Sequence, residues 1–393
     1  MNKLTLLETH PVQYHAPVYR CLAQVLGVEL KVIYGSDFSV AGYRDAEFRS
    51  DITWDTDLLG GYESHFLSTV KRGGAASYDT VSSEGLAAAL QAVPSGALMC
   101  LGYWHPFDRA GLRMAKRHRL PLFFRGETND EANQRSWWKR VLRDLWLRRL
   151  YSGCRALLYV GQRSLRHYQR LGARAEQLHF SPYCVDASTF TPNDSALRQA
   201  TRARLGIPHD AITLLFSGKL SERKGVDLIP VAVRALPDSQ RARIHLLYLG
   251  DGQLRPALEA TRQELACSFV GFQNQSQLSA HYLAADALVL PSRQSETWGL
   301  VVNEAMLHGL PCLVSTRVGC QPDLVLPNDT GEVCQAGDAA SLTAALGRLL
   351  PRLQDPRLSE RCRQQVASYS VQAAAQGIAS AWASLPTKPQ ANA

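Results

Sequence analysis

Short apolar runs alternate with longer segments of helical spacing along the whole chain. The runs are five to eight residues long and rich in leucine and β-branched residues, which is typical of buried strands. Strands are predicted at residues 4–8, 29–34, 97–101, 121–125, 156–160, 177–181, 212–218, 243–250, 267–271, 287–292, 311–316 and 331–335. The segments between them, such as residues 111–119 and 341–350, repeat apolar residues at the period of a helix.

This alternation predicts parallel sheets with helices on both faces. It occurs twice, and a polar, turn-rich interval near residues 182–200 separates the two occurrences. We therefore predict an α/β fold with two doubly wound domains, residues 1–185 and residues 200–370, which face each other across a cleft at the carboxyl ends of their strands. A last helix, residues 371–385, is expected to pack back on the N-terminal domain.

The composition is that of an ordinary globular protein, because 46% of the 393 residues are hydrophobic and 20% are charged. The nine cysteines are scattered singly without a CxxC pair, so we expect reduced thiols rather than disulfides or a zinc site. No stretch approaches the ~20 apolar residues that span a bilayer, and Glu8 interrupts the apolar start of the chain. These features predict a cytoplasmic protein.

The net charge of +8 is concentrated in one segment. Residues 103–174 contain 17 Lys and Arg against 5 Asp and Glu, a balance of +12 that leaves −4 for the rest of the chain. Such a concentration indicates an anionic partner, which can be an anionic membrane, a phosphorylated substrate or a nucleic acid. No nucleic-acid-binding signature accompanies the charge, so no nucleic acid partner is expected.

The segment SRQSETWGLVVNEAM, residues 292–306, places two glutamates around the end of a strand and the start of a helix. Glu296 is predicted to lie in the loop at the mouth of the cleft, whereas Glu304 lies within an otherwise apolar helix. Burial of a carboxylate is costly unless the carboxylate finds partners. Glu304 is therefore expected either to accept hydrogen bonds from ligand hydroxyls or to pair with a neighbouring Lys or His as a structural strut.

The segment FSGKLSERKGVD, residues 216–227, follows a strand and enters a helix. Lys219 and Lys224 flank this loop at the edge of the sheet where doubly wound folds bind ligands. Two ammonium groups beside a helix N-terminus suit a diphosphate, and a solvated basic loop is the alternative. The loop lacks the GxxxxGK[ST] pattern of a P-loop.

Taken together, these segments resemble the donor-binding domain of the family 4 retaining glycosyltransferases, which have the GT-B fold of two Rossmann-like domains around a cleft. The resemblance rests on SGKLSERKG, YLGDGQL, FVGFQNQSQL and PSRQSETWGLVVNEAMLHGLP. The segments THPVQYHAPVYRCLA, ITWDTDLLGGY and FFRGETND are similar to those of a bacterial subgroup that acts in surface-polysaccharide and lipid-linked glycan synthesis.

The resemblance implies a role for each matching residue of the C-terminal domain. Glu304 would bind the ribose hydroxyls of a nucleotide sugar. Lys219 and Lys224 would hold its diphosphate, and Glu296 would contact the donor sugar beside its anomeric carbon. The other donor-binding residues, which line the base or offer backbone amides to phosphate, would be Gly218, Gly271, Phe272, Trp298, Gly299 and Leu300.

In the N-terminal domain, the resemblance makes His105 the candidate for the histidine that touches the donor sugar. Many family members carry a Gly-Gly pair after the first strand, whereas this chain reads HPVQYH, so the phosphate contacts of that pair would fall to other side chains. The candidates on the acceptor side of the cleft are His10, Gln13, His15, Arg125 and Glu127.

The segment WDTD, residues 54–57, contains the D-x-D pattern that binds a divalent metal in the other main glycosyltransferase fold. Here it lies in the N-terminal half of the chain, so we expect it to be far from the nucleotide-binding half and to hold no metal. Two lysines and a helix N-terminus can neutralise a departing diphosphate without an ion. We therefore expect that no metal or other cofactor is required.

The segment SWWKRVLRDLWLRRLY, residues 136–151, combines tryptophan with arginine. Its apolar stripe at helical spacing consists of Trp138, Val141, Leu142, Leu145 and Trp146. This combination suits a helix in the headgroup region of an anionic membrane, with contact through residues 137–150. The alternative is an amphipathic helix whose stripe packs in the core.

These observations predict a metal-independent, retaining hexosyltransferase associated with the inner face of the cell membrane. It would move a hexose-type sugar from a nucleotide diphosphate sugar to a hydroxyl of a glycan or lipid-linked acceptor in surface-polysaccharide synthesis. Two alternatives remain. One is a nucleotide-sugar epimerase of the same architecture, and the other is a catalytically silent protein that binds a nucleotide or a glycan.

Overall fold

The computed structural model describes residues 3–45, 50–52, 54–70, 78–92, 95–128, 130, 136–294 and 296–386. Two parallel sheets, each with helices packed on it, form an N-terminal and a C-terminal domain. The predicted class of two doubly wound domains is therefore confirmed.

The N-terminal domain is built on seven parallel strands in the order β5-β2-β1-β6-β7-β8-β9, and β3 and β4 form a separate antiparallel ribbon. The strands are β1 Lys3–Glu8, β2 Leu30–Tyr34, β3 Tyr43–Asp45, β4 Ser50–Ile52, β5 Glu63–Phe66, β6 Ser95–Cys100, β7 Leu122–Arg125, β8 Ala156–Tyr159 and β9 Leu178–Phe180. Strand β5 was not predicted, because at the edge of the sheet it alternates exposed and half-buried residues instead of forming an apolar run.

The C-terminal domain contains six parallel strands in the order β12-β11-β10-β13-β14-β15. The strands are β10 Ile212–Ser217, β11 Ile244–Leu249, β12 Ala266–Gly271, β13 Ala287–Leu290, β14 Cys312–Ser315 and β15 Gly331–Cys334. All six residues of β11 are buried, as expected for a central strand that has helices on both faces of the sheet.

Helices connect the strands of both sheets. They are α1 Ala16–Arg20, α2 Phe38–Ala41, α3 Leu86–Gln91, α4 Pro106–Arg117, α5 Trp137–Ser152, α6 Gln162–Arg170, α7 Ser195–Arg204, α8 Leu228–Arg234, α9 Asp238–Arg241, α10 Arg255–Ala260, α11 Gln275–Ala284, α12 Leu300–Leu307, α13 Gln321–Leu324, α14 Ala339–Leu349, α15 Pro356–Ala367 and α16 Val371–Ala383. None of the helices in the described ranges is long and apolar enough to cross a bilayer.

The N-terminal sheet separates two apolar clusters. Leu6 and Met99 face one cluster, whereas Leu7 and Cys100, the next residues on the same strands, face the other. This division follows from the strand geometry, in which successive side chains point to opposite faces.

The last helix, α16, packs on β8, β9 and α1 of the N-terminal domain. Its buried side chains Ala374, Ile378 and Ala381 belong to an apolar cluster of that domain. Gly377 lies so close to the backbone carbonyl of Phe180 that a side chain would not fit. The hydroxyl of Ser181 donates a hydrogen bond to the carbonyl of Ala374 (2.9 Å), so the chain returns to the domain where it began.

The order of the strands determines where a ligand can bind. In the C-terminal sheet the order reverses between β10 and β13, and in the N-terminal sheet it reverses between β1 and β6. The loops that leave the carboxyl ends of such neighbouring strands diverge and form a crevice. The loops after β1, β6, β10 and β13 are therefore the elements from which a site in this fold is built.

Candidate functional site

The carboxylate of Glu304 lies at the boundary of the two domains and is almost fully buried on α12. Tyr282 of α11 donates a hydrogen bond to its Oε2 (2.6 Å), and Tyr14, in the loop after β1, donates one to its Oε1 (3.2 Å). Burial raises the pKa of Glu304 to about 7, although both hydrogen bonds lower it. His308 bonds to the backbone carbonyl of Glu304 rather than to the carboxylate. Hydroxyl groups thus hold this carboxylate in place.

Glu296 lies in the loop between β13 and α12 and forms an ion pair with Lys224. The hydroxyl of Ser292 donates a second hydrogen bond to the same carboxylate oxygen (3.0 Å). Lys224 ends a single helical turn, Glu222–Lys224, in the loop after β10, so the pair joins the loops of two adjacent strands. One lysine and one glutamate of the predicted catalytic set are therefore in direct contact.

Glycines shape the edge of the sheet beside this pair. Gly218 follows β10 with φ 138°, and Gly271 ends β12 with φ 82°, a region that favours glycine. Gly299, with φ 102°, turns the chain into α12. Lys219 is half-buried on the loop after β10, and Phe272, also half-buried, follows Gly271. All of them lie at carboxyl ends of strands or in the loops that leave those ends.

The indole ring of Trp298 is buried beneath the start of α12, where its Nε1 donates a hydrogen bond to the side chain of Asn303 (2.9 Å). Leu300 is the first residue of α12 and is half-buried. The first backbone N–H groups of a helix have no partner within the helix. The start of α12 can therefore offer backbone N–H groups to a ligand, and the buried Trp298 side chain supports the turn.

A cavity of about 700 Å³ opens between the loops of the N-terminal domain and the Glu296 loop. The sequence-predicted residues on its wall are His10, His15, His105, Arg125 and Glu127, and Thr297 closes it from the C-terminal domain. Gln13 is buried and is not among the described residues that line this cavity. Four of the five acceptor-side candidates are thus brought together with His105, and Gln13 is not.

His105 and His10, on the wall of this cavity, have defined partners. His105 begins α4, where its Nδ1 accepts a hydrogen bond from the backbone N–H of Phe107 (3.2 Å). His10 stacks on Phe38 with ring centroids 4.4 Å apart, and burial lowers its pKa to about 4. His10 is therefore neutral at physiological pH.

A buried chain of polar groups supports Arg125. Glu8, at the end of β1, contacts Nδ1 of His15 (2.6 Å), and Nε2 of His15 lies 3.3 Å from the guanidinium of Arg125. The guanidinium also donates to the backbone carbonyl of Pro182 (3.1 Å) and lies over the ring of Tyr183, 4.8 Å from its centroid. No carboxylate in the described part of the chain forms an ion pair with Arg125, so a buried positive charge faces the cavity.

Glu127 bridges the cleft. Its carboxylate accepts a hydrogen bond from the hydroxyl of Tyr183 and another from the hydroxyl of Thr297 (2.9 Å). Thr297 is the residue next to Glu296, so Glu127 directly contacts the Glu296 loop of the opposite domain.

The apolar stripe of α5 is exposed. Trp138, Val141, Leu142, Leu145 and Trp146 are 45–61% accessible, and the helix buries Leu147 and Tyr151 instead. The alternative that the stripe packs in the core is therefore wrong for the described residues. The hydrophobic spacing correctly identified an apolar face of α5. The face that packs on the N-terminal domain is a different one, which carries Leu147 and Tyr151.

The exposed stripe is continuous with the cavity. Tyr103 lines the cavity. Its ring centroid lies 5.6 Å from that of Trp104 and 5.3 Å from that of Trp146. A groove of about 620 Å³ also separates α4 from α5, and its described lining contains no carboxylate. The basic residues that line this groove are Arg109, Arg113, Lys116 and Arg149.

The WDTD segment does not lie far from the C-terminal domain, so that prediction is wrong. Asp55 accepts hydrogen bonds from Ser276 at the start of α11. Asp57 accepts from the backbone N–H groups of Leu59 and Gly60 and so forms a local turn. Among the described residues, no group of three or more His, Cys, Asp or Glu side chains is arranged to hold a metal ion.

Residues 198–368 match the family of glycosyl transferases group 1. Over 191 residues the chain is 33% identical to a D-inositol 3-phosphate glycosyltransferase of Xylanimonas cellulosilytica, a match that covers 46% of this chain and 44% of that protein. It is 30% identical over 205 residues to the sulfoquinovosyl transferase SQD2 of Arabidopsis thaliana, covering 51% and 38%. The matches span less than half the length of these relatives. They confirm the resemblance to glycosyltransferases for the C-terminal part of the chain.

Solved structures resemble the chain over almost its whole length. Anabaena Alr3699/HepE in complex with UDP and glucose has a TM-score of 0.68 at 16% identity, covering 98% of this chain and 100% of that one. Sucrose-phosphate synthase from Thermosynechococcus elongatus has a TM-score of 0.69 at 19% identity, covering 98% of both chains. At these identities the likeness concerns the fold alone, and it confirms the predicted GT-B architecture.

The sequence-based reasoning missed several residues of the site. Tyr14 and Tyr282 hold Glu304, Glu8 orients His15, and Tyr183 joins Arg125 to Glu127. Tyr14 lies within the HPVQYH segment, and Glu8 is the polar end of an apolar strand, so these two carried a local signal. Nothing in the sequence near Tyr183 or Tyr282 indicated that these residues belong to the site.

The raised pKa of Glu304 predicts a pH-dependent stability. Its pKa is about 7 in the folded protein and 4.5 in the absence of the fold, so between these values the folded state keeps a proton that the unfolded chain has lost. Stability contributed by this group therefore falls as the pH rises from about 4.5 to 7. Glu304→Gln lacks this titration, so its stability should not show this fall. The unfolding free energy of the variant minus that of wild type, measured by denaturant unfolding, should therefore rise by about 2 kcal/mol from pH 5 to pH 8.

The exposed Glu84→Gln variant is the control for this measurement. A constant difference between wild type and Glu304→Gln across that pH range would contradict the assignment.

Proposed function

We propose that this protein is a retaining glycosyltransferase that moves a hexose-type sugar from a nucleotide diphosphate sugar to a hydroxyl of a glycan or lipid-linked acceptor. The observation that carries the proposal is the arrangement at the cleft. A buried carboxylate held by hydroxyl groups and a Lys–Glu pair lie at the carboxyl ends of one parallel sheet, opposite a cavity of the other domain.

Glu304 would bind the ribose of the donor. Its carboxylate accepts hydrogen bonds from two tyrosine hydroxyls, which is the chemistry that a ribose diol offers. The bond from Tyr282 is shorter and comes from the same domain, whereas the longer one from Tyr14 crosses the cleft. A ribose would therefore replace Tyr14 and leave Tyr282 in place.

Lys219, Lys224 and the start of α12 would hold the diphosphate. Glu296 forms an ion pair with Lys224 and neutralises its charge. An incoming diphosphate would offer Lys224 a second anionic partner and leave Glu296 beside the donor sugar. Preorganised positive groups of this kind stabilise the charge that develops on a departing phosphate.

In the proposed reaction, the bond between the anomeric carbon and the diphosphate oxygen breaks, and the acceptor oxygen bonds to the same face of that carbon. The acceptor proton passes to the leaving phosphate oxygen, so Glu296 is not needed as a covalent nucleophile. His105 would touch the donor sugar from the N-terminal side. Closure of the cleft would exclude water. The hydrogen bond from Thr297 to Glu127 is a contact between the two domains that a closed cleft would keep.

The cavity in the N-terminal domain would receive the acceptor. A volume of about 700 Å³ is enough for a small ligand, and its wall combines aromatic rings with polar groups. The exposed apolar stripe of α5 leads to this cavity through Tyr103 and Trp146. This continuity supports an acceptor that carries a lipid and remains at a membrane surface.

Contact with an anionic membrane would occur through α5 and the neighbouring groove. Exposed tryptophans and leucines suit the headgroup region, and the basic lining of the groove suits lipid phosphates. Arg143 does not join this surface, because it pairs with Asp130 and Asp144 and is largely buried. This arrangement supports association with the inner face of the cell membrane in surface-polysaccharide synthesis.

Donor consumption distinguishes the three functions that the sequence left open. Nucleotides are first screened by thermal shift, because binding to the folded state raises apparent stability. The corresponding nucleotide sugar is then incubated with and without a lipid-linked acceptor. A transferase consumes donor mainly when the acceptor is present, an epimerase converts the donor without it, and a silent binding protein leaves the donor unchanged.

Replacement of Glu296 should separate binding from transfer. We expect Glu296→Gln to reduce the transfer rate at least a hundredfold, because the donor sugar loses its carboxylate contact. The Kd of the nucleoside diphosphate should change less than fivefold. Glu304→Gln is the matched comparison, and it should weaken nucleotide binding itself. Unchanged turnover of Glu296→Gln would reject its catalytic role.

Independence from metal is tested by chelation. We expect turnover in excess EDTA to stay within a factor of two of untreated enzyme, because Lys219, Lys224 and the start of α12 supply the positive charge. Turnover that disappears in EDTA and returns with Mn²⁺ would show that the reaction requires an ion.

Membrane contact is tested by vesicle flotation. We expect binding to vesicles containing phosphatidylglycerol but not to pure phosphatidylcholine. Leu142→Ser with Leu145→Ser should abolish flotation, and Arg113→Ala and Lys116→Ala should each weaken it about fivefold. Val231→Ser, which changes an exposed apolar residue of the C-terminal domain, is the control. Equal flotation of all variants would exclude this surface.

A further inference from the structure

The loop that carries Trp54 and Asp55 reaches from the N-terminal domain to the C-terminal domain. The carboxylate of Asp55 accepts hydrogen bonds from the hydroxyl (2.6 Å) and the backbone N–H (3.2 Å) of Ser276, in the first turn of α11. A carboxylate at this position also interacts favourably with the helix dipole. Asp55 therefore acts as a helix cap that the opposite domain supplies.

Trp54 lies against the loop that follows β12. Its ring centroid is 6.4 Å from that of Phe272, and the two ring planes meet at 63°. Phe272 follows Gly271, and this loop is the one that the family resemblance assigns to the nucleotide base. An aromatic side chain of the N-terminal domain thus stands at the expected position of the base.

The C-terminal end of the loop that carries Trp54 and Asp55 is fixed within the N-terminal domain. Asp57 accepts hydrogen bonds from the backbone N–H groups of Leu59 (3.0 Å) and Gly60 (2.8 Å). Arg20, at the end of α1, donates to the backbone carbonyls of Asp57 (2.9 Å) and Gly60 (3.0 Å). The two aspartates of WDTD therefore have separate partners, since one shapes the turn and the other caps a helix across the cleft.

We propose that Trp54 forms one wall of the nucleobase pocket, opposite Phe272, and helps to determine which donor is bound. This inference rests on the proposed function, in that the donor is a nucleotide sugar. A planar base has a π-face that stacks on an aromatic side chain. Trp54 turns from its edge-to-face contact with Phe272 so that the base lies between the two rings. Asp55 holds the loop at the distance that this arrangement requires.

The position of Trp54 makes base recognition depend on both domains. The C-terminal domain supplies Glu304 and Lys224, which would meet the ribose and the diphosphate, and Phe272 as one aromatic wall for the base. The second wall is present when Asp55 engages Ser276. A ligand without a base gains nothing from this contact, and this difference makes the inference testable.

The test compares a nucleoside diphosphate with inorganic pyrophosphate by calorimetry. The nucleotide is the one that binds wild type most tightly in the thermal-shift screen. We expect Trp54→Ala to raise its Kd about five- to hundredfold, which is the range for loss of one stacking partner. Trp54→Phe should stay within about threefold of wild type, and the Kd of pyrophosphate should be unchanged in both variants. Val231→Ala, which shortens a side chain that is 48% exposed on α8, is the control for nucleotide affinity in solution.

Each other result overturns the inference. Equal nucleotide affinity in Trp54→Ala and wild type shows that Trp54 does not touch the base, and higher affinity shows that it competes with the base. An equal loss for pyrophosphate and nucleotide shows a general effect on closure or folding. Failure of wild type to bind any nucleotide rejects the proposed function together with this inference, whereas normal wild-type binding with an unaffected Trp54→Ala rejects the inference alone.

Discussion

The carboxylate of Glu304 is the group on which the arrangement of the cleft depends. A carboxylate buried in an apolar helix must find hydrogen-bond donors, because desolvation strongly opposes its charge. Its two donors, Tyr282 and Tyr14, come from different domains. The bond to Tyr14 therefore exists only while the domains are in contact, and removal of that hydroxyl leaves Oε1 to a ligand. Under the proposed function, the hydroxyl of Tyr14 and a ribose hydroxyl thus compete for one oxygen atom of Glu304.

The topology explains why this carboxylate lies where two domains meet. All strands of both main sheets are parallel, so their carboxyl ends lie at one edge of each sheet, and the two edges face one cleft. Glycines keep the loops there close together. A side chain at Gly319 would run into the backbone carbonyl of Thr297, and one at Gly225 would meet that of Pro291. The ion pair of Lys224 with Glu296 depends on these close approaches, because it joins loops of two different strands.

Local patterns in the sequence were sufficient to predict the buried parallel strands and to single out Glu304, but not to predict contacts between the domains. Buried parallel strands are continuous apolar runs, and a glutamate in an apolar helix is a visible conflict. Tyr14 and Glu304 are 290 residues apart, and no local pattern joins them. The spacing in α5 identified an apolar stripe but could not show whether another element covers it. The same limitation affected WDTD, since distance along the chain was taken for distance in space.

The loop after β1 also connects the two sides of the cleft. Tyr14 contacts Glu304, and the next residue, His15, is fixed between Glu8 and Arg125 on the wall of the cavity in the N-terminal domain. Under the proposed function, a ribose that displaces Tyr14 moves a residue whose neighbour orients Arg125. Arg125 in turn lies over Tyr183, which binds Glu127, and Glu127 contacts Thr297 beside Glu296. Because these contacts are contiguous, the proposed function implies that occupancy of the donor site is linked to the shape of the acceptor cavity.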